Sequence, residues 1–302
     1  MTGAGVARLP SIALLAGAHK TASTHLQATI LAARERLAAE GVGVIGPQEV
    51  RAHLRPAILP DNRSPAEVMA LARATLDHLC PGARHVVIME ENILGNTGRN
   101  MLLGKGGLIY PFATRRLRDA LAAFAGAEVR VGMAIRNPAR FLVSCWSEQL
   151  AFGPWQPFRS FVAGTPPDMP RWRWLANRMQ KATDTVTIWT YEDYPAVLPQ
   201  IIDWATGLRG FGATVTPYEM QLRPGLSQRA ADFLHAKMLA DPNRDHKLVL
   251  RRARKAAPVE GGYPKFQPWS AEEQARFDDI YADDLLDLAT AERINWLTPA
   301  LA

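Results

Sequence analysis

Residues 11–27, Ser-Ile-Ala-Leu-Leu-Ala-Gly-Ala-His-Lys-Thr-Ala-Ser-Thr-His-Leu-Gln, constrain the fold of this chain more than any other stretch. Ile12 to Ala16 are uniformly apolar and too few for a helix, the pattern of a strand in a parallel sheet covered on both faces. Gly17 interrupts the run. From Ser23 the spacing turns helical: Leu26, Ile30, Leu31 and Leu37 form a stripe, with Arg34, Glu35 and Glu40 mostly outside it, and Gly41 closes the segment. A loop between strand and helix presents unpaired backbone N–H groups and the positive end of the helix dipole, which together attract anions. Lys20 adds a mobile cation, and Thr21, Ser23 and Thr24 add hydroxyls. A capped helix with a surface lysine accounts for the same spacing. The ordinary nucleoside-triphosphate loop, with Gly-Lys-[Ser/Thr] after four free positions, does not fit, because here the lysine precedes the hydroxyl cluster.

The remaining chain alternates strands and helices. Strands are expected at 42–45, 85–89, 128–135 and 185–190, and helices at 65–80, 110–125, 139–150, 172–181 and 195–208. Ser64, Pro65 and Glu67 form a helix start, as do Ser270 and Glu273. From Arg223 onward the pattern is helical, at 227–240, 246–256 and 270–289. Residues 47–65, rich in Pro and Arg, and 95–107, rich in Gly, Asn and Lys, are expected to be loops, the second mobile. The reading is α/β: a parallel sheet with helices on both faces and a helical C-terminal portion, in one domain over 1–302 whose α/β core spans 11–208.

In an open α/β sheet the ligand crevice lies at the carboxyl ends of the strands. Glu90 and Glu91 follow the third strand and so point toward the first loop. Neighbouring strand residues face opposite ways, so one of the two at most faces the site; capping the next turn or binding arginines explains them equally well. Arg136 sits at the exit of the fourth strand, and Ser144 lies two turns into the following helix. Trp146, Trp155, Trp172 and Trp174 are close enough in sequence to line one pocket.

Composition narrows the function classes. Apolar residues make up 48% of 302 residues, enough for a large core. The net charge of +6, from 35 basic and 29 acidic residues, suits a polyanionic small ligand or acidic substrate and is too mild and dispersed for nucleic acid. Cys80 and Cys145 have neither a metal-type spacing nor a disulfide framework and read as buried thiols in a reducing compartment. The histidines lack metal-ligand spacing, so no metal is assigned. No apolar run approaches the roughly 20 residues of a membrane span, and Met1 to Pro10 lacks the features of a leader, so a cytoplasmic location is expected.

Gly17-x-x-Lys20-Thr21-x-Ser23-Thr24-x-Leu26-Gln27 resembles the 5′-phosphosulfate loop of the sulfotransferases that use 3′-phosphoadenosine 5′-phosphosulfate (PAPS), and His19 before the lysine is similar to a bacterial branch of that family. Arg136-x-Pro138, with Ser144 six residues beyond the proline, is similar to the family's 3′-phosphate site. Tyr191-Glu192-Asp193 resembles the exit of its late strand. The likeness spans most of residues 11–208. It implies a three-layer P-loop-like fold, a single sulfotransferase-like domain, and sulfuryl transfer from PAPS to a hydroxyl or amine of a small-molecule or glycan acceptor. By the same resemblance Gly17, His19, Lys20, Thr21, Ala22, Ser23 and Thr24 surround the phosphosulfate, Lys20 neutralises its bridging oxygen, and Arg136 and Ser144 hold the 3′-phosphate. Glu91 is the implied base, since Glu91-Asn92 is similar to the Glu-Asn after the same strand in bacterial relatives, with Glu90 and His19 as the other candidates.

Two departures stand out. Ala22 replaces the family's usual glycine and is strained if the loop requires a positive φ there. The late Arg-Lys-Gly segment that closes over the 3′-phosphate has no clear counterpart; Arg251-Arg252-Ala253-Arg254-Lys255, followed by Gly261-Gly262-Tyr263-Pro264, is the nearest, and a solvated helix face explains that charge run as well. The competing readings are a nucleotide kinase, which needs a conventional triphosphate loop and a magnesium carboxylate, and a PAPS-binding protein without a working base.

Overall fold

A computed structural model describes residues 9–59, 62–166, 168–220 and 225–299. Most of the Met1–Pro10 stretch, two positions of the 47–65 segment and Arg223 lie outside the described residues. Six strands, β1 (Ser11–Leu15), β2 (Val42–Ile45), β3 (His85–Met89), β4 (Val129–Ile135), β5 (Val186–Thr190) and β6 (Ile294–Trp296), form one all-parallel sheet in the order β2-β3-β1-β4-β5-β6. Around it run α1 (Ser23–Ala32), α2 (Arg34–Ala39), α3 (Pro65–Leu79), α4 (Ala113–Ala122), α5 (Pro138–Phe152), α6 (Trp172–Met179), α7 (Tyr194–Thr206), α8 (Gln228–Ala240), α9 (His246–Ala256) and α10 (Ala271–Ala289).

The uniform apolar runs follow from burial on both faces. Ile12, Leu14, Val86, Ile88, Val131 and Met133 pack with residues of α3, α4, α5 and α6. Their neighbours Leu15, Val87, Met89, Ala134 and Trp189 pack with α1, α2 and α7 on the opposite face. Helices therefore cover both sides of the sheet, and the first apolar cluster continues through Leu226, Leu234, Leu250, Phe277 and Ile280 into α8, α9 and α10.

Several expectations need correction. The first helix breaks at Ala33 (φ −91°, ψ 5°), giving α1 and α2. Residues 47–58 are successive helical turns, not loop. Pro47 and Pro56 both sit at starts of turns, where the missing N–H costs nothing, Glu49 Oε2 accepts the Gly46 N–H at 2.7 Å, and Val50, Leu54, Ala57 and Ile58 bury one face. The 95–107 segment is packed by short turns at Arg99–Leu102 and Lys105–Gly107, with Leu102 and Leu103 buried and Arg99 donating to Ala163 O at 2.7 Å. The helix expected from Tyr110 begins at Ala113, because Tyr110 has φ +46°. The C-terminal portion also supplies an edge strand, β6, which pairs Ile294 with Val186.

Of the four tryptophans, only Trp146 and Trp155 share a cleft, of about 200 Å³, with Phe158, His235 and Phe266. Trp172 is fully buried against Phe141, and Trp174 faces solvent. Cys145 is buried and Cys80 only half-buried, both as free thiols. Among the described residues no helix is long and apolar enough to cross a membrane.

Candidate anion-binding site

The chain leaves β1 toward β2 and leaves β4 toward β5, in opposite directions along the sheet. The carboxyl ends of these adjacent strands therefore open into the crevice where open α/β sheets bind ligands. The β1 loop is clamped to β4 by the Ala18 N–H on Ala134 O and the Ala134 N–H on Gly17 O, at 3.2 and 2.9 Å. Gly17 (φ +124°) passes so close to β3 that an added Cβ would meet Glu91 O at 3.2 Å.

Lys20 (φ +62°) and Ala22 (φ +64°, ψ 17°) then take left-handed conformations. Ala22 therefore occupies the positive φ that makes glycine the natural residue there, at a cost of roughly 1 kcal/mol. Among the described residues no main-chain N–H from Lys20 through Thr21, Ala22, Ser23, Thr24 and His25 finds an acceptor. Such a run at a helix N-terminus is an anion cradle.

The hydroxyls divide. Thr21 Oγ1 donates to Ala18 O at 2.6 Å and Ser23 Oγ donates to Glu91 Oε2 at 2.7 Å, so each spends its proton within the protein. Thr24 is exposed, and its hydroxyl has no partner among the described residues. Lys20 Nζ lies 3.5 Å from Glu148 Oε1 on α5, both side chains about one-quarter exposed.

Arg136 leaves β4 beside this loop, and its Nη1 donates to Lys20 O at 2.9 Å. Asn137 caps α5 through its side-chain oxygen, with Pro138 in the first turn. The guanidinium lies 4.2 Å from the Tyr191 ring centroid, and Arg136 Nε is buried without a partner among the described residues. Burial lowers its pKa, against the raising influence of Tyr191 and Glu192. Glu192 accepts from the Asn137 N–H and from Tyr281 Oη at 3.1 and 2.8 Å, bracing the strand exits against α10. Ser144 is half-exposed on the α5 face that carries Glu148 one turn later, and its hydroxyl has no partner among the described residues. Arg254 of α9 reaches the same helix, its Nη2 3.2 Å from Ser147 Oγ.

The acids of β3 take different parts. Glu90 is 3% exposed and saturated: Arg51 Nε and Nη2 reach it at 2.9 and 3.2 Å, and the Asn92 N–H and Nδ2 at 2.9 and 2.6 Å. It both binds an arginine and closes the following turn. His19 is also fully engaged, with Nδ1 2.7 Å from Tyr110 Oη and Nε2 3.3 Å from Asn92 Oδ1. Neither is placed to take a proton from an incoming group. Glu91 lines a small cleft with Gly17, Thr21 and Ser23, and its Oε1 has only Arg51 Nη2, at 4.0 Å, as a charged neighbour among the described residues.

Sequence reasoning missed Arg51, Tyr110 and Glu148 and left Arg254 unassigned. Only Glu148 carried a local signal, its i+4 spacing from Ser144 on one helix face. Comparison of the chain with family models, curated proteins and solved structures finds no match.

Proposed function

We propose that the protein is a sulfotransferase with a P-loop-like core, moving the sulfuryl group of PAPS to a hydroxyl or amine of a small-molecule or glycan acceptor. One observation carries the reading: the unpaired N–H groups from Lys20 to His25 lie next to the Arg136 guanidinium across a single crevice. An N–H cradle suits a phosphosulfate, and a second, desolvated arginine suits a separate phosphate on the same ligand. The central position of β1 and the strand order agree with a P-loop-like core.

In the proposed reaction the acceptor oxygen or nitrogen attacks sulfur, and the bond from sulfur to the bridging oxygen breaks. The electron pair leaves with 3′-phosphoadenosine 5′-phosphate (PAP). Lys20 neutralises the charge that develops on that oxygen, and the loop N–H groups hold the departing phosphate. Arg136 and Ser144 hold the 3′-phosphate, and Arg254, bonded to Ser147 on the same helix, supplies a C-terminal cation beside them. Glu91 takes the acceptor's proton through Oε1 while Oε2 keeps Ser23.

Thermal melting with PAP, ADP and ATP, with and without magnesium, tests the reading. Saturating PAP at about 100 times its dissociation constant stabilises the native state by about 2.7 kcal/mol and raises Tm accordingly. PAP is expected to stabilise most. Equal or greater stabilisation by ATP-magnesium overturns the assignment in favour of a nucleotide kinase, and PAP binding without turnover on any acceptor pool reduces it to a binding protein.

A further inference from the structure

Tyr110 lies outside the loop that carries the site, yet its side chain touches that loop twice. The His19 N–H donates to Tyr110 Oη at 3.1 Å, and the same oxygen is 2.7 Å from His19 Nδ1. Tyr110 Oη accepts the main-chain N–H, and among the described residues Nδ1 is the acceptor within reach of its one proton, so the hydroxyl donates to Nδ1 of the neutral imidazole. The ring proton of His19 then sits on Nε2 and is given to Asn92 Oδ1. Asn92 Nδ2 in turn donates to Glu90, which Arg51 holds from the helical turns at 47–58. Every donor in the chain Tyr110, His19, Asn92 points the same way, toward one carboxylate.

The tyrosine itself is held from several sides. It is fully buried, edge-on to Phe141 at 6.4 Å between centroids, and takes φ +46°, a conformation a bulky residue adopts only when its surroundings impose it. Its N–H donates to Leu102 O at 2.8 Å, and its carbonyl accepts from Arg178 Nη1 at 2.9 Å while Arg178 Nη2 holds Ile109 O. Gly95 leaves room for the ring, since a Cβ there would lie 2.7 Å from Tyr110 Cδ1. The hydroxyl is thereby fixed relative to the sheet. It turns the His19 N–H inward immediately before the first of the unpaired N–H groups, that of Lys20.

We propose that Tyr110 is a positioning residue for the anion cradle: its hydroxyl fixes the main chain at His19 and the imidazole tautomer, and so sets the direction of the N–H groups that follow. The inference deepens the sulfuryl-transfer reading and rests on the loop's binding an anion. Two variants separate positioning from packing. Tyr110→Phe keeps the ring and removes the hydroxyl; Phe141→Leu loosens the ring's packing and touches no loop atom named here. Titration calorimetry with inorganic pyrophosphate and with PAP, melting curves, and the imidazole nitrogen shifts of His19 are measured on the full chain. Tyr110→Phe is expected to weaken pyrophosphate 10- to 100-fold and to release His19 from the single Nε2–H tautomer, whereas Phe141→Leu lowers Tm and leaves pyrophosphate affinity within about twofold. Unchanged pyrophosphate affinity or an unchanged tautomer in Tyr110→Phe overturns the proposal, as does an equal loss of affinity in Phe141→Leu or a wild-type chain that binds no pyrophosphate. A wild-type chain that binds pyrophosphate but not PAP overturns sulfuryl transfer instead, and the pyrophosphate arm still decides Tyr110.

Discussion

Removing a negative charge from the site should tighten its hold on an anion, and Glu148→Gln is the substitution that shows it. Glu148 Oε1 lies 3.5 Å from Lys20 Nζ, with side chains 21% and 24% exposed. An anion seated on the Lys20–His25 N–H groups takes over Lys20 as a partner and at the same time faces the Glu148 carboxylate. At a separation of about 5 Å, two unit charges repel by about 0.8 kcal/mol in water and about 3.3 kcal/mol at an effective dielectric of 20. The partial exposure of both side chains places the effect between these limits, at about 1–3 kcal/mol, so PAP should bind roughly 5- to 150-fold more tightly to the variant. Calorimetric titration at low and at high ionic strength is the assay. The gain should shrink as salt rises, because mobile ions screen a partly exposed pair. Weaker PAP binding by Glu148→Gln would refute the reasoning and make the carboxylate a brace that holds Lys20 in its working position. An unchanged affinity would mean that the anion sits elsewhere.

Two further outcomes are expected. Arg136→Ala should weaken PAP about 10- to 150-fold, the loss of one charge-assisted contact, and adenosine 5′-phosphosulfate at least tenfold less; equal weakening of both ligands would reduce Arg136 to a brace on Lys20 O. Glu273 pairs with Arg159 at 2.6 and 2.9 Å, and that hydrogen-bonded pair, more than the Ser270 cap, lowers its carboxyl from 4.5 to about 2. The folded pKa is depressed, so this stabilisation is present above about pH 4.5 and is lost as pH falls toward 2. Melting curves of wild type and Glu273→Gln should therefore differ at neutral pH and converge between pH 4.5 and 2; a gap independent of pH would contradict the assignment.

What could be read in the sequence was what short-range periodicity and local chemistry carry. Ile12 to Ala16 and Val86 to Met89 announce a sheet buried on both faces, because a strand covered twice has no polar side. Ser64 with Glu67 and Ser270 with Glu273 announce helix starts, and both capping boxes are present. The candidate anion loop was legible for the same reason, since strand, small residues and helix follow one another directly in the chain. Composition misled where it replaced periodicity: the prolines of 47–58 suggested a loop, although their neighbours Val50, Leu54, Ala57 and Ile58 carried a helical stripe.

The tertiary structure alone decided which polar groups remain available. Glu90 and Glu91 are equivalent as letters, but Arg51, 39 residues earlier, consumes one and leaves the other open. His19 Nδ1 is engaged by Tyr110, 91 residues later, and Arg254 reaches α5 across a separation of 107. Strand β6 is three residues long and takes its form from the edge of β5. None of these contacts has a period, because each depends on two distant segments meeting after the sheet has formed; a side chain's proton and charge are then assigned by partners that its own stretch of sequence does not contain.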